Sequence, residues 1–224
     1  MPKVRGRSLR VLFDAEAIAA RNQELAKEIA AAGYNNLLVV SILKGSFVFA
    51  ADLIRALHGV GLAPEVEFIS LSSYKKATVS SGKVTLLRDV ESDVVDRDVL
   101  IIDDILESGR TLAYAKKLLI KRGARRVGVA VLLNKPGKLA QPFAADHVGF
   151  VAPDLFVVGY GMDAAHAFRE LPYVAVVEDK PAKKARAAVR GSRVRSRAAR
   201  WRRDADESRR GSRGHAGYRS RREP

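Results

Sequence analysis

Two adjacent carboxylates, Asp103 and Asp104, follow a short apolar run at positions 99–102. A continuous apolar run predicts a strand that is covered on both faces, as in the centre of a parallel sheet. Open sheets of this kind bind ligands at the carboxyl ends of their strands. A helix cap could account for one acidic residue there but not for both, because burial of a carboxylate costs free energy. The pair therefore indicates a binding site.

A short polar loop follows the acid pair and leads into a predicted helix. The loop residues are Glu107, Ser108, Gly109, Arg110 and Thr111. Apolar residues then recur at helical spacing, and Gly123 is the expected end of the helix. Unpaired N–H groups and the helix dipole make a helix start an anion site. Carboxylates accept hydrogen bonds from vicinal hydroxyls, so the sequence predicts a ribose 5′-phosphate site, with its hydroxyls on Asp103 and Asp104.

Several other chemistries find no support in the sequence. The loop matches neither the ATP-binding pattern G-x-x-x-x-G-K-[ST] nor the dinucleotide pattern G-x-G-x-x-G. The four histidines lack metal-ligand spacing, and no G-x-S-x-G nucleophile motif occurs. These absences argue against a kinase, a dehydrogenase, a histidine-ligated metal enzyme and a serine hydrolase.

The stretch IIDDILESGRT resembles the phosphoribosyl pyrophosphate motif of the type I phosphoribosyltransferases. Three further segments resemble that family in the same order: Leu43 to Ser46, Ser73 and Tyr74, and FVVGYGMDAAHAFR from Phe156 to Arg169. Within the family the resemblance is strongest to the hypoxanthine-guanine phosphoribosyltransferases. It implies an α/β type I phosphoribosyltransferase fold, with a central, mainly parallel, twisted sheet flanked by helices and a small hood subdomain.

The resemblance implies a Mg²⁺-dependent transfer of the phosphoribosyl group to N9 of hypoxanthine, and of guanine as well, in purine salvage. The implied substrate-binding residues are Lys44, Gly45, Ser73, Tyr74, Asp103, Asp104, Glu107, Ser108, Gly109, Arg110, Thr111, Lys135, Phe156, Val157, Asp163 and Arg169. Those implied to act in catalysis are Glu107, Lys135 and Arg169. The carboxylates implied for Mg²⁺ are Asp103, Asp104 and Asp163.

The implied roles divide the site into a base end and a pyrophosphate end. At the base end, the ammonium of Lys135 meets the 6-oxo group, which favours an oxopurine over adenine. Phe156 stacks on the ring, and Val157 offers backbone groups to its edge. At the pyrophosphate end lie Arg169 and the loop from Leu43 to Ser46, whose first peptide bond can be cis in this family.

Two segments carry further expectations. The Ser73-Tyr74 dipeptide and the polar residues 75–83 are implied to form a mobile lid that keeps water from the reacting ribose. Glu107 stands where the family usually has Asp, the residue assigned to the N7 proton of the purine. A longer carboxylate can still reach N7, but its geometry must differ.

The elements that must position these residues alternate as in an α/β domain. Asp14 caps a predicted helix that ends at Gly33. A second predicted helix carries Phe47, Ala51, Ile54 and Leu57 on one stripe and closes at Gly59. Strands are predicted at 37–43, 66–71, 84–87, 127–133, 147–150, 156–158 and 174–177, in addition to the one before the acid pair.

The composition indicates one sizeable core without disulfides. The chain has 224 residues, 47% of them hydrophobic, and no cysteine. No apolar run approaches the ~20 residues of a membrane span, and the first residues lack a secretory apolar segment. We expect a cytoplasmic protein without membrane contact. The resemblance implies a homodimer or homotetramer.

Most of the net charge of +15 lies in residues 181–224, which hold a net charge of +12. Their Arg, Ser, Gly and Ala content predicts a disordered tail behind a phosphoribosyltransferase domain at 1–180. The tail is either a solvated extension or a weak, non-specific contact for nucleic acid. A nucleic-acid-binding regulator of the same fold is an alternative function. Four retained residues argue against it: Lys44, Lys135, Asp163 and Arg169.

Overall fold

The computed structural model describes residues 3–73 and 84–178, which form ten strands and three helices. The strands are β1 (Lys3–Val4), β2 (Arg7–Phe13), β3 (Leu38–Leu43), β4 (Glu65–Ser73), β5 (Val84–Arg88), β6 (Asp98–Leu106), β7 (Arg126–Asn134), β8 (His147–Val151), β9 (Val157–Val158) and β10 (Val174–Glu178). The helices are α1 (Ala15–Ala31), α2 (Phe47–Gly59) and α3 (Arg110–Lys121).

The larger sheet has six strands in the order β5-β4-β3-β6-β7-β8. All neighbours in it are parallel except β5, which pairs with β4 in the antiparallel direction. The predicted mainly parallel central sheet is therefore confirmed. Strand β6 lies in its interior and runs to Leu106, so Asp103 and Asp104 lie within the strand. The prediction placed them at its carboxyl end, and the strand continues two residues beyond the pair, with Ile105 opposite Leu133 of β7.

Helices cover both faces of this sheet. On one face, α1 and α2 pack against alternate strand residues such as Leu100 and Ile102. On the other face, α3 packs against the intervening residues, including Val99 and Ile101. This alternation follows from the period of two in a strand, and it explains why the run 99–102 is apolar without interruption.

The start of α1 agrees with the sequence, whereas the buried face of α2 does not. Asp14 caps α1, because its side chain accepts a hydrogen bond from the N–H of Ala17 at 2.8 Å. In α2, the predicted stripe is wrong at Phe47 and Ala51, which are exposed. The buried residues of α2 are Phe49, Ala50, Leu53, Ala56 and Leu57. The helix is apolar around most of its circumference, so spacing alone could not select the buried face.

A second, antiparallel sheet forms the predicted hood, in the order β1-β2-β10-β9. It joins the two ends of the described chain, with Leu9 of β2 opposite Val177 of β10. The sequence did not predict β1 or β2. Predicted strand 156–158 is present as β9, without Phe156.

Some predictions fall outside the part of the chain that the structure describes. They concern Tyr74, the lid residues 75–83 and the basic tail at 181–224. Within residues 3–73 and 84–178, no helix has both the length and the apolar character that crossing a bilayer requires.

Candidate active site

Two adjoining cavities open at the carboxyl ends of the parallel strands. Their volumes are about 590 Å³ and about 300 Å³. Residues lining both are Leu43, Lys44, Gly45, Leu71, Asp104, Ile105 and Glu107. The fold thus brings together three of the four segments singled out in the sequence, and pockets of this size hold small ligands. For the fourth segment, the described part ends at Ser73, whose backbone pairs with Val84.

The smaller cavity is built around the loop between β6 and α3. Ser108, Gly109 and Thr111 line it, whereas Arg110 starts the helix, is exposed and does not line it. Gly109 has a φ of +72°, a left-handed conformation that favours glycine. As the residue before α3 it provides no side-chain cap. The N–H of Arg110 donates to Ser108 Oγ at 3.4 Å, whereas those of Thr111 and Leu112 donate to no described residue and are available to an anion.

The acid pair forms the wall between this loop and the larger cavity. Asp103 is only 8% exposed. The N–H of Asp104 donates to Asp103 Oδ1 at 3.0 Å, and the N–H of Ile105 donates to Asp104 Oδ1 at 2.8 Å. Burial raises the pKa of both carboxyls, and for Asp103 the adjacent charge of Asp104 adds to the increase. Within the described residues no Lys or Arg forms an ion pair with either carboxylate, so both remain available to ligand hydroxyls or to a cation.

Gly45 allows the loop after β3 to approach the acid pair. A side-chain carbon on Gly45 would overlap Asp104 Oδ2, and one on Gly161 would overlap the carbonyl oxygen of Gly45. The peptide bond between Leu43 and Lys44 is cis, as the resemblance implies. Ser46, buried before α2, donates from its Oγ to the carbonyl of Ile42 at 2.5 Å and shares a hydrogen bond with Ser41. The loop after β3, the side chain of Asp104 and the segment at Gly161 therefore meet at this glycine pair.

Arg169 and Asp163 stand together at the far side of the larger cavity. Arg169 Nη2 lies 2.6 Å from Asp163 Oδ1, and Arg169 Nη1 donates to the carbonyl of Gly161 at 2.6 Å. The other oxygen of Asp163 accepts from the N–H of His166 at 2.7 Å. The positive charge of Arg169 also opposes the rise of the Asp104 pKa. The geometry therefore pairs Arg169 directly with one of the three carboxylates predicted for Mg²⁺, Asp163.

Lys135 and Phe156 form the end of the larger cavity predicted to take the base. Lys135 is 5% exposed, and its Nζ donates to the carbonyl of Leu155 at 2.8 Å. Phe156 is 64% exposed, whereas Val157 is buried in β9. A buried ammonium beside an open aromatic face suits a planar ligand that carries an acceptor oxygen.

Glu107 lies near two cations, and it is hydrogen-bonded to the one that the sequence did not suggest, Lys138. Its Oε1 lies 3.8 Å from Lys135 Nζ and 3.3 Å from Lys138 Nζ. Lys138 Nζ also lies 2.5 Å from Asp154 Oδ1. Lys138 and Asp154 were missed because charged loop residues usually belong to a solvated face. The available signal was Gly137, whose φ of +95° turns the chain back toward the strand end.

The carboxylates predicted for Mg²⁺ line the cavities without forming a preorganised cage. Asp103 lines the smaller cavity, Asp163 the larger one and Asp104 both. In residues 3–73 and 84–178, no three His, Cys, Asp or Glu side chains are grouped closely enough to hold a metal ion by themselves.

Comparison with known proteins shows that this chain is similar to members of one family. Residues 9–165 match the family described as phosphoribosyl transferase domain. Hypoxanthine-guanine phosphoribosyltransferase of Bacillus subtilis (strain 168) is 41% identical over 174 residues, which are 77% of this chain and 94% of that protein.

Solved structures give the same result. The hypoxanthine phosphoribosyltransferase of Trypanosoma cruzi in complex with the product IMP has a TM-score of 0.72 and 35% identity, over 80% of this chain and 98% of that one. A second structure of the T. cruzi enzyme addresses the role of its C-terminal region in oligomeric state and activity. It has a TM-score of 0.73 and 37% identity, over 79% of this chain and 95% of that one.

Proposed function

The chain belongs to the phosphoribosyl transferase family, and we propose that it transfers the phosphoribosyl group of phosphoribosyl pyrophosphate to N9 of hypoxanthine, and of guanine as well. The products are IMP or GMP and pyrophosphate, which places the reaction in purine salvage. One observation carries the proposal: the acid pair, the anion loop and the buried Lys135 line adjoining cavities. Curated hypoxanthine-guanine phosphoribosyltransferases that match most of this chain support it.

The smaller cavity is the proposed site of the ribose 5′-phosphate. Its phosphate lies against the N–H groups at the start of α3, beside Ser108 and Thr111. The ribose hydroxyls then donate to the carboxylates of Asp103 and Asp104. Both carboxyls have raised pKa values, so hydroxyl donors that favour the ionised form oppose the effect of burial.

Pyrophosphate is proposed to leave between the loop at Lys44 and Gly45 and the guanidinium of Arg169. Arg169 has five N–H donors, so its contacts with Gly161 and Asp163 leave others for phosphate oxygens. Mg²⁺ favours hard oxygen ligands and is often held by one or two carboxylates together with substrate phosphates and water. The donor set fits this mode, with Asp103, Asp104 and Asp163 as the proposed holders. Bound Mg²⁺ would neutralise charge on the leaving pyrophosphate.

The larger cavity is the proposed purine site. The ammonium of Lys135 donates to the 6-oxo group, and Phe156 stacks on the ring. N9 forms a bond to C1′ of the ribose while the bond from C1′ to the pyrophosphate oxygen breaks. Glu107 takes the proton that the purine loses at N7. The electron pair of the broken bond leaves with pyrophosphate.

We also propose that the protein is a cytoplasmic homodimer or homotetramer.

The basic tail at 181–224 has a net charge of +12, which favours weak, salt-sensitive contact with nucleic acid as a second property of the protein. Retention on RNA at low and high salt, measured with the full chain and with a chain ending at 180, tests this property. If deletion of the tail changes neither catalysis nor retention, the tail has no such role.

The decisive experiment supplies phosphoribosyl pyrophosphate, Mg²⁺ and one purine at a time. Hypoxanthine, guanine, xanthine and adenine are compared by the rate of nucleotide formation. We expect IMP from hypoxanthine, GMP from guanine and little product from adenine. If no purine gives a nucleotide, the enzyme proposal is wrong.

A further inference from the structure

Lys138 connects two acidic side chains at the entrance to the larger cavity. Its Nζ lies 3.3 Å from Glu107 Oε1 and 2.5 Å from Asp154 Oδ1. All three side chains line the cavity. They come from three parts of the chain: the loop after β6, the loop after β7 and the segment before β9. The ammonium of Lys138 thus joins three walls of the site.

The same oxygen of Glu107 faces a second ammonium. Lys135 Nζ lies 3.8 Å away, farther than Lys138 Nζ. The side chain of Lys135 is 6% exposed and that of Lys138 is 45% exposed. Attraction between opposite charges is stronger where water is excluded, so the carboxylate of Glu107 is attracted more strongly toward the buried ammonium of Lys135. Such closure would occupy the donor needed by the 6-oxo group and would draw the carboxylate away from N7.

We propose that Lys138, itself anchored by Asp154, is a positioning residue that holds the carboxylate of Glu107 away from Lys135. The inference rests on the proposed function. Lys138 thereby keeps the ammonium of Lys135 free for the 6-oxo group and directs Glu107 toward N7. The extra methylene of Glu, relative to the family's usual Asp, lets the carboxylate reach Lys138. The contact between Glu107 and Lys138 would thus explain why this chain has Glu at position 107, where the family usually has Asp.

Lys138→Met tests the proposal, since it keeps most of the apolar stem and removes the charge. We expect kcat to fall about tenfold, within the hundredfold that a displacement of ~1 Å can cause. KM for hypoxanthine should rise, while KM for phosphoribosyl pyrophosphate should stay within about twofold, because Lys138 does not line the cavity of the phosphate loop and contacts neither Lys44 nor Arg169. Lys138→Arg should recover most of kcat. Thermal unfolding verifies that each variant is folded.

A matched control is Lys116→Met. Lys116 is on α3, and its Nζ lies 4.0 Å from Asp146, so it too is paired with an aspartate, but it does not line either cavity. This variant should keep kcat and both KM values within about twofold of the unmodified protein. A similar loss in Lys116→Met and Lys138→Met would mean that removal of any paired lysine has the effect, and it would overturn the proposal.

A double-mutant cycle separates positioning from a mere tether between loops. In a Glu107→Asp background the shorter carboxylate no longer reaches Lys138, so Lys138→Met should change kcat less than twofold. If Lys138 only tethers its loop through Asp154, the loss caused by Lys138→Met is the same in both backgrounds. That additive result overturns the inference while the unmodified protein still forms IMP. A chain that forms no nucleotide overturns the proposed function instead.

Discussion

The carboxylate of Asp104 occupies the space beside the Cα of Gly45 in which any side chain would lie. The loop predicted to hold pyrophosphate and the strand predicted to hold ribose can therefore approach each other only because Gly45 has no Cβ. Gly45 has no positive φ, so the requirement for glycine here is one of space.

Gly45→Ala should weaken binding of phosphoribosyl pyrophosphate. The added Cβ must displace either Asp104 or the loop, and we expect KM for this substrate to rise about tenfold or more, since misplacement of ~1 Å at a site has effects of this size. Steady-state kinetics measure the change. Gly59→Ala, at the end of α2, is the control, because a Cβ there meets nothing within 4 Å. Equal effects of the two substitutions would contradict the spatial explanation.

Glu107→Gln should lower turnover far more than it weakens binding of phosphoribosyl pyrophosphate. The amide keeps the size of the side chain but cannot accept the N7 proton, and loss of general base catalysis reduces rates by about 10² to 10⁴. Measurement of kcat, together with the Kd for phosphoribosyl pyrophosphate, separates the two effects. Unchanged turnover would remove Glu107 from its role at the base.

Asp103→Asn should stabilise the ligand-free protein at alkaline pH. Burial raises the pKa of Asp103, so the unfolded chain loses this proton at lower pH than the folded chain does. The free energy of unfolding therefore falls as pH rises from about 4 through the raised pKa. The asparagine variant avoids this loss, which is about 1.4 kcal/mol for each unit of pKa difference.

Thermal unfolding without Mg²⁺ or nucleotide at pH 4, 6 and 8 measures this effect. The variant should have the higher Tm at pH 8, and the difference should become small near pH 4, where the folded carboxyl is neutral and the unfolded one is only about half ionised. It should also bind phosphoribosyl pyrophosphate less well, because one acceptor for the ribose hydroxyls is lost. A lower Tm of the variant at pH 8 would show that Asp103 stabilises the fold.

Tyr160→Phe should destabilise the fold by about 1–3 kcal/mol, the usual penalty for leaving buried polar groups unsatisfied. Tyr160 Oη accepts from Asn22 Nδ2 at 2.8 Å and donates to Asp52 Oδ2 at 2.5 Å. Burial raises the pKa of Tyr160, which keeps its hydroxyl protonated as a donor. Urea unfolding measures the loss. Tyr114→Phe on α3 is the control, with an expected change under about 0.5 kcal/mol, because no hydrogen bond of Tyr114 is present in the described residues.

Much of the site could be predicted because its signals are local. The run 99–102, the acid pair and the following loop appear in one stretch, and a strand, a turn and a helix start are each encoded by neighbouring residues. Asp14 likewise predicted the start of α1, because a capping residue lies next to the helix that it caps. Lys135 was placed by resemblance, and its burial agrees with the role that resemblance implies.

What the sequence did not predict depends on distant contacts. Strand β2 is formed by pairing with β10, far along the chain, and its mixture of Arg and apolar residues carries no clear period. The buried face of α2 is selected by the sheet below it. Lys138 and Asp154 meet only because two loops converge, and each alone resembles an ordinary surface charge.

The hood sheet also sets an order of assembly during synthesis. Val157, at the proposed purine site, pairs with Val176 of β10, and β10 in turn pairs with β2 near the start of the chain. A nascent chain emerges from its amino end, so the phosphate loop and its supporting strands leave the ribosome before β10 exists. The half of the site proposed to hold ribose phosphate can therefore form first. The half of the site proposed to hold the purine requires β10, the last described strand, so a chain stalled before residue 174 would lack a complete base pocket.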